Sequence, residues 1–460
     1  MKLLYSLFLM SVLIPVAQAA LSTSEIRQLV TSYGMQYLLL DELQRPIDPR
    51  LEKIEKDGLD GCALFMGAVF PVYNASDIAA LSGKLGPGDQ LVLMGTDWKD
   101  AQFTFSGRGT TQAPILIRPE RPGNVVFSGS SAVVFHGSHL VISGLEFRNV
   151  ALTHDGAKVF QLGAGKDQPA DHCIVYRIKI EDCNSPSPAD WPRLRIWYLT
   201  ADYGWDNTIA NSTFAQRRNR GEMIGVLHLP AGELLRLHVL KNRFLTRPKI
   251  DDQDGYEVIQ IGSMDDGARP AGALIQGNLF ENCDGENEII TLKASDIFVR
   301  NNSFAGCQGV LSLRTARRVL VQGNVFESRG KPNTGGVRMQ GWGHVIIENV
   351  FRDQNQPQSM TYWPISMMTA DNEEYGDNNF EGYGRSKHIL IAKNRFEHCE
   401  NRIAVGVVYG PGYPLLPENI QAHDNVFVGS TAKTAFEYIT TEPSVEFAQR
   451  LLESGNQFLP

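Results

Sequence analysis

The most concentrated group of charged side chains in the sequence lies between residues 284 and 295. Glu286 and Glu288 are two residues apart on a predicted strand, so their carboxylates point to the same face. Two adjacent carboxylates repel each other unless a positive charge lies between them, and a calcium ion bound by oxygen ligands would supply that charge. An acidic run that ends at Asp254 offers further oxygen ligands for such a site.

Lys293 and Arg314 follow the two glutamates and are 21 residues apart. If the chain repeats at about this interval, the two cations are neighbours roughly 5 Å apart. A lysine that acts as a base must release its proton, and a second cation at its side favours that release. The alternative is a surface charge ladder, in which the two cations pair with Glu286 and Glu288.

A short motif, Asn-x-Phe, recurs through the second half of the sequence. The motif asparagines are Asn242, Asn278, Asn302, Asn324, Asn349, Asn394, Asn425 and Asn456. The short spacings cluster near 23 residues, and the interval of 45 residues between Asn349 and Asn394 is about twice that. Chance recurrence of a common tripeptide is the alternative, but the near-regular spacing argues against it.

Each motif follows a short apolar run, such as Ile297-Phe298-Val299 before Asn302. Strands that repeat every 20–25 residues without helices between them predict a parallel β-solenoid rather than a sandwich. In each turn of the solenoid, or coil, the Asn would bond to its neighbours on adjacent coils and the Phe would fill the interior. Strand and turn patterns between residues 71 and 150 extend the same fold toward the N terminus.

The N terminus has the pattern of a secretory signal peptide. Lys2 precedes an apolar run over residues 3–16, and Ala17-Gln18-Ala19 supplies a small-x-small cleavage site. We therefore expect residues 1–19 to be removed and the mature chain to be secreted or periplasmic. The apolar run is too short to span a membrane, so no membrane insertion is expected.

Residues 20–70 differ from the rest of the chain. Ser22-Thr23-Ser24-Glu25 is a capping box, and apolar residues follow it at helical spacing. Because the end coil of a solenoid must be covered, this segment predicts an N-terminal helical cap, with an independent prodomain as the alternative. Residues 71–460 then form one domain, the β-solenoid.

The chain of 460 residues has 43 basic and 51 acidic side chains, a formal charge of −8, which argues against nucleic acid as a partner. Its six cysteines lack metal-site spacing, so zinc is not implied. Cys283 and Cys307 each lie five residues after a motif Asn, which predicts either a disulfide or a stack of buried thiols on adjacent coils. Cys173 and Cys183 are a second candidate pair.

The stretch from Asn278 to Phe326 resembles polysaccharide lyase family six, which contains alginate lyases and chondroitinase B. The resemblance is carried by Asp-Gly-Glu-x-Glu-Ile-Ile from Asp284, by a Lys five residues after the second Glu, and by Leu-x-Leu-Arg 21 residues after that Lys. It extends upstream to Leu-Gly-Pro-Gly-Asp at 85–89 and downstream to Gly-Gly-Val-Arg at 335–338. It covers about residues 71–430.

The resemblance implies an all-β fold, a single-stranded right-handed parallel β-helix, and a β-elimination on a uronate-containing polysaccharide. It implies that Lys293 is the base that removes the C5 proton. Arg314 would act as the acid, or as the stabiliser of the departing glycosidic oxygen. The resemblance also implies a calcium ion, held by Asp254, Glu286 and Glu288, that neutralises the substrate carboxylate.

Two positions depart from the family pattern. Asp254 stands where the family usually has an Asn as a calcium ligand, which adds a negative charge beside the substrate carboxylate. Thr315 stands where a His commonly follows the catalytic Arg, which alters a substrate contact. Arg338, His344 and Tyr256 are further expected substrate contacts. For Arg338 a salt bridge between coils is the alternative, and for His344 a structural role.

We expect an exported lyase that depolymerises alginate, so its partner is an acidic polysaccharide. The nearest rival is the same reaction on dermatan or chondroitin sulfate, which would need additional cations to bind sulfate. A polygalacturonase-like hydrolase would need clustered aspartic acids, and a uronate epimerase would return a proton instead of expelling the leaving group. A non-catalytic glycan-binding solenoid would release no product. A monomer and a homodimer are both compatible with the sequence.

Overall fold

The computed structural model describes residues 20–35, 46–251, 254–355, 357–373, 383–408, 410–438 and 451–460. In these ranges the chain winds as a right-handed parallel β-helix with three parallel sheets, here named A, B and C. The predicted all-β solenoid is therefore confirmed. The predicted signal peptide, 1–19, lies outside the described residues.

The strands are numbered in chain order, and successive coils add one strand to each sheet along most of the solenoid. The 14 strands of sheet A are β1 (Val69–Val72), β2 (Gln90–Leu93), β5 (Ile115–Pro119), β8 (Leu140–Ser143), β12 (Ile174–Tyr176), β15 (Thr208–Ala210), β18 (His238–Leu240), β21 (Leu274–Gln276), β24 (Phe298–Arg300), β27 (Leu320–Gln322), β30 (Val345–Ile347), β33 (Lys387–Ala392), β36 (Glu418–His423) and β39 (Leu451–Ser454). The 13 strands of sheet B are β3 (Asp97–Lys99), β6 (Val126–Gly129), β9 (Glu146–Val150), β13 (Lys179–Glu181), β16 (Thr213–Ala215), β19 (Arg243–Arg247), β22 (Leu279–Cys283), β25 (Ser303–Ala305), β28 (Val325–Glu327), β31 (Val350–Arg352), β34 (Arg395–Glu397), β37 (Val426–Val428) and β40 (Gln457–Leu459). The 13 strands of sheet C are β4 (Gln102–Arg108), β7 (Ala132–Ser138), β10 (Ala157–Leu162), β11 (Ala170–Asp171), β14 (Ile196–Thr200), β17 (Ile224–Val226), β20 (Ile259–Ile261), β23 (Glu288–Leu292), β26 (Gly309–Leu313), β29 (Thr334–Met339), β32 (Ile365–Met368), β35 (Ile403–Val407) and β38 (Phe436–Tyr438).

The motif asparagines form a ladder at the turn between sheets A and B, as predicted. From Asn242 to Asn425, the backbone N–H of each motif Asn donates to Oδ1 of the next over 2.9–3.0 Å. The motif Phe rings stack beneath them, with centroids 4.4–5.2 Å apart from Phe244 to Phe458. The ladder satisfies backbone groups that the sharp turn would otherwise leave buried and unpaired.

The interval between Asn349 and Asn394 is about twice the usual spacing, yet the structure has a single coil there. The N–H of Asn349 donates directly to Oδ1 of Asn394 at 3.0 Å, and Phe351 stacks on Phe396 at 4.9 Å. The additional residues therefore lie before and after β32 in the sequence.

The N-terminal segment contains helices, but their contacts run along the side of the solenoid. Helices α1 (Thr23–Ser32) and α2 (Pro49–Asp57) bury their apolar residues against the outward face of sheet A. That face is apolar, with residues such as Leu116 and Val141, so it needs a cover. Tyr33, just after α1, stacks on His423 of the late strand β36 at 4.0 Å.

A third helix, α3 (Ala75–Leu81), covers the start of the solenoid. It packs on β4, and its Ile78 belongs to the central core. The sequence predicted that residues 20–70 cover the end of the solenoid. In the structure α3 covers it instead, because α1 and α2 pack along sheet A. None of the helices in the described ranges has both the length and the apolar character that crossing a bilayer requires.

All six cysteines are free thiols. The N–H of Cys283 lies 3.4 Å from Sγ of Cys307, so the two residues are on adjacent coils, as their spacing predicts. Of the two predicted alternatives, the structure has the stack of buried thiols. Cys173 and Cys183 are also buried and free.

Candidate active site

The outward face of sheet C carries the charged residues that the sequence singles out. Strands β23, β26 and β29 are neighbours there, and Thr291, Ser312 and Arg338 are register partners on them. Alternate residues, such as Ile290 and Leu311, point into the core. The outward residues therefore form columns of polar side chains along the solenoid axis.

Lys293 and Arg314 lie one coil apart, as their spacing predicts. Leu292 and Leu313 are register partners, and each cation is the next residue after one of them. The Arg314 N–H donates to the Leu292 carbonyl at 3.0 Å, which brings the two coils together at this point. The side chains of both Lys293 and Arg314 are half-buried.

Neutral amides flank the two cations. Nζ of Lys293 donates to Oε1 of Gln260 at 3.3 Å, and Nη1 of Arg314 donates to Oε1 of Gln340 at 3.2 Å. Among the described residues, no ion pair joins Lys293 or Arg314 to a carboxylate. The charge-ladder alternative is therefore wrong.

Three carboxylates meet close to Lys293. Oxygen atoms of Glu257, Glu286 and Glu288 lie within 4.8 Å of one another. Asp254, the third ligand expected from the sequence, is exposed and lies outside this group. The candidate metal site of the structure thus contains Glu257 where the sequence predicted Asp254.

Close backbone packing holds Glu286 in this group. A Cβ on Gly285 would lie 2.5 Å from the carbonyl oxygen of Tyr256, so a larger residue before Glu286 would push the coils apart. The Glu286 carboxylate accepts hydrogen bonds from the N–H groups of Gly255 and Tyr256 at 3.1 and 3.4 Å. The Gly of the Asp-Gly-Glu motif therefore allows the coils to pack closely, and this packing fixes the position of the Glu286 carboxylate.

Glu288 is held by the polar column of sheet C. Its Oε1 accepts a hydrogen bond from the Ser312 hydroxyl at 3.1 Å and forms a salt bridge with Arg338, while the Thr291 hydroxyl donates to its Oε2. Arg338 is 6% exposed and also donates to Ser312 at 3.1 Å. The expected substrate contact of Arg338 is corrected, because its guanidinium is used in a buried salt bridge between coils.

Burial and nearby negative charge raise the pKa of two of these carboxyl groups. Burial, followed by the charge of Glu222, raises the pKa of Glu257 to about 7. Burial, followed by the charge of Glu257, raises the pKa of Glu286 to about 9. Oε2 of Glu257 is buried and has no hydrogen-bond partner. A carboxylate group with an unsatisfied buried oxygen fits a hard divalent cation such as calcium.

A second group with metal-ligand atoms lies at the turn between sheets C and A. Atoms of His139, Asp171 and His172 are within 4.8 Å of one another. The two imidazoles stack with 4.8 Å between centroids, and Nδ1 of His172 is 2.8 Å from Asp171. The Arg50 guanidinium donates to the His172 carbonyl at 2.7 Å. This group has one carboxylate, whereas the group on sheet C has three, so the carboxylates on sheet C form the better site for a hard cation such as calcium.

His344 and Tyr256 do not reach the outward face of sheet C. His344 is fully buried, where its Nδ1 accepts from the Val319 N–H at 3.2 Å and its Nε2 is 2.9 Å from the Gln340 carbonyl. Tyr256 is 1% exposed, and its hydroxyl donates to the Trp191 carbonyl at 3.4 Å. The expected substrate contacts of both residues are corrected, because buried side chains cannot touch a polymer on the surface.

The sequence around Glu257 repeats the pattern of the neighbouring strands, although Glu257 is not part of the Asp-Gly-Glu motif. Glu-Val-Ile-Gln-Ile-Gly from Glu257 aligns with Glu-Ile-Ile-Thr-Leu-Lys from Glu288, and Glu-Met-Ile-Gly-Val-Leu from Glu222 aligns with both in the observed register. A comparison of successive coils therefore predicts a column of three glutamates. Gln260 and Gln340 have no such signal, because a lone amide is common on any strand.

The chain was compared with protein families, curated proteins and solved structures. The chondroitinase B family matches residues 72–415. A comparison with the curated proteins gives no match. Among solved structures, a mannuronic acid specific polysaccharide family 6 lyase from human gut microbiota has a TM-score of 0.74 at 24% identity over 84% of both chains.

Two further solved structures are similar. The PL6 family alginate lyase AlyGC has a TM-score of 0.77 at 23% identity, over 85% of this chain and 51% of that chain. The PL6 family polysaccharide lyase Pedsa3628 from Pseudopedobacter saltans has a TM-score of 0.70 at 21% identity, over 85% of this chain and 92% of that chain. These identities support the β-helical fold, whereas the family match spans most of the chain and defines the family. The protein therefore belongs to the chondroitinase B family, polysaccharide lyase family six.

Proposed function

We propose that the protein is an alginate lyase, which cleaves a polyuronate chain by β-elimination. The observation that carries the proposal is the stack of Lys293 on Arg314, next to a carboxylate group that fits calcium. Both cations donate to neutral amides, and among the described residues neither forms an ion pair with a carboxylate. Two such cations suit an anionic substrate whose reaction builds up further negative charge.

Elimination breaks the C5–H bond of a uronate, forms the C4–C5 double bond with that electron pair, and breaks the glycosidic C4–O bond. Lys293 acts here as its neutral amine and accepts the C5 proton at Nζ, which Gln260 orients through its hydrogen bond of 3.3 Å. Arg314 donates N–H groups to the departing oxygen and stabilises its negative charge until that oxygen gains a proton.

Glu257, Glu286 and Glu288 would hold the calcium ion. When bound, calcium neutralises the uronate carboxylate and thereby makes the C5 proton more acidic. Three glutamates carry more negative charge than a ligand set with the Asn that is usual in the family. The salt bridge from Arg338 to Glu288 offsets part of that additional charge.

Alginate is favoured over dermatan or chondroitin sulfate because neither position 315 nor Arg338 offers a further cation for sulfate. Arg338 is engaged with Glu288, and the buried Thr315 replaces the His that is common after the catalytic Arg. Two of the similar structures are described as a mannuronic acid specific lyase and an alginate lyase. A sulfated polymer is the second candidate, because the matching family is described as chondroitinase B.

We also propose that the protein acts outside the cytoplasm, in the periplasm or beyond the cell. The support is the signal-peptide pattern of residues 1–19. A secreted site of action suits a polymeric substrate, which is too large to cross the cell membrane unaided.

Incubation of the purified protein with alginate, dermatan sulfate and pectate, each with and without calcium, tests the proposal. The new C4–C5 double bond is conjugated with the carboxylate and absorbs ultraviolet light, and we expect this absorbance to grow with alginate. Growth with dermatan sulfate alone would select the second candidate. No growth with any of the three polymers would contradict the lyase function.

A further inference from the structure

The longest coil of the described solenoid contains a tyrosine that contacts Arg314. The coil runs from Asn349 to Asn394, and its additional residues lie before and after β32 in the sequence. Tyr383, which follows β32 in the sequence, lies beside Arg314 at the outward face of sheet C.

Several contacts fix Tyr383 in this position. Its N–H donates to Oδ1 of Asp371 at 2.6 Å, and its carbonyl accepts hydrogen bonds from the N–H groups of Asp371 and Asn372, both at 3.3 Å. The ring packs against Tyr413 with 5.1 Å between centroids, and Tyr383 is only 4% exposed. An aromatic ring held in this way is a rigid surface rather than a mobile side chain.

The Tyr383 ring lies against the guanidinium of Arg314. Cζ of Arg314 is 4.0 Å from the ring centroid, while Nη1 donates to Gln340 at 3.2 Å. A ring face and an amide restrict a planar cation without neutralising it, whereas a carboxylate would compete with an anionic substrate. Both contacts therefore orient Arg314 and preserve its charge.

We propose that Tyr383 is a positioning residue for Arg314, so that this tyrosine belongs to the active site. The ring fixes the plane of the guanidinium and thereby directs its remaining N–H groups toward the departing glycosidic oxygen. This inference rests on the proposed function, because it takes the role of Arg314 from there. Tyr383 lies outside the stretch from 278 to 326 that carries the family motifs.

Two substitutions separate the ring face from the rest of the side chain. Tyr383→Phe keeps the face of the ring and removes the hydroxyl, whereas Tyr383→Leu removes the face. With alginate, we expect Tyr383→Leu to lower kcat about tenfold with little change in KM, and Tyr383→Phe to stay within about twofold of the wild type. Tyr73→Leu, at an exposed tyrosine near the first strand, is the matched control and should leave both constants unchanged.

A merely structural role predicts a different result. It predicts a lower melting temperature for Tyr383→Leu with unchanged kcat in the folded fraction, and that outcome would overturn the proposal. If Tyr383→Leu does not fold, Tyr383→Met, which keeps most of the volume, replaces it in the same comparison. Arg314→Lys should lose less activity in the Tyr383→Leu background than in the wild type, and additive losses would also contradict the proposal. A wild-type protein inactive on all three polymers would refute the proposed function itself, before any variant is compared.

Discussion

Lys293 and Arg314 follow two leucines that pair in register on adjacent strands, so two cations that form no ion pair with a carboxylate of the described residues lie one coil apart. Parallel strands repeat about every 4.8 Å, and like charges at that distance are costly in a folded protein. When it is ionised, the nearby Glu257 offsets part of that cost by attracting Lys293, although the two form no ion pair. This arrangement concentrates positive charge where a polyuronate would bind, although the whole chain has a net charge of −8.

The first prediction concerns the ligands of the candidate calcium site. We expect calcium to raise the melting temperature of the wild type, because an ion that binds only the folded state stabilises it. Glu257→Gln should weaken calcium binding about tenfold or more, since it removes a charged oxygen ligand. Asp254→Asn is the matched control and should retain the calcium-dependent shift, because Asp254 lies outside the group.

Calorimetric titration with calcium alone checks this prediction without any substrate. Calcium binding, and with it the calcium-dependent rise in melting temperature, that disappears in Asp254→Asn and persists in Glu257→Gln would contradict the ligand set of the structure. It would support the set expected from the sequence instead.

The second prediction concerns the asparagine ladder. In Asn324, Oδ1 accepts from the Asn302 N–H and Nδ2 donates to the Val299 carbonyl, both at 2.9 Å. Asn324→Ala leaves these buried groups unpaired and should lower the free energy of unfolding by about 2–4 kcal/mol. Asn456→Ala, at the less buried end of the ladder, should cost less. Urea unfolding of both variants measures the difference, and equal losses would argue against burial as the cause.

The third prediction concerns the acid side of the stability profile. Burial lowers the pKa of His344 from its ordinary 6.5 to about 4, whereas the unfolded chain titrates near 6.5. Between these values the unfolded state binds a proton that the folded state does not. Stability is therefore fully present above about pH 6.5 and falls as the pH drops toward 4, by at most about 3 kcal/mol.

Unfolding of the wild type and of His344→Gln at several pH values tests this assignment. The variant should be less stable near neutral pH, because it loses buried hydrogen bonds, but its stability should fall less steeply between pH 6.5 and 4. Parallel pH profiles would show that His344 does not cause the slope.

The sequence predicted the solenoid and the Lys293–Arg314 neighbours because both depend on spacing alone. A regular interval of Asn-x-Phe motifs defines the coil, and residues 21 apart then meet on adjacent coils. Glu257 does not belong to the acidic run that ends at Asp254, and its place on sheet C becomes evident only when its strand is aligned with those of Glu222 and Glu288.

The path of the N-terminal segment could not be predicted from its own pattern. A capping box and helical spacing indicate a helix, and α1 is present, but they do not specify the surface on which it packs. The apolar outward residues of sheet A decide that, and they are spread over many coils. The contact of Tyr383 with Arg314 could not be predicted for a similar reason. A long interval between motifs is compatible with either two short coils or one long coil, so it does not specify where Tyr383 lies.

The central claim is that Lys293 removes the C5 proton. The most direct test compares wild type, Lys293→Ala and Lys179→Ala in the ultraviolet assay with alginate and calcium. Lys179 forms a surface ion pair with Glu181 on sheet B, so its substitution controls for the loss of a lysine elsewhere. We expect Lys293→Ala to lose activity by a factor of roughly 10²–10⁴ while Lys179→Ala remains active. Elimination by Lys293→Ala at the wild-type rate would contradict the account.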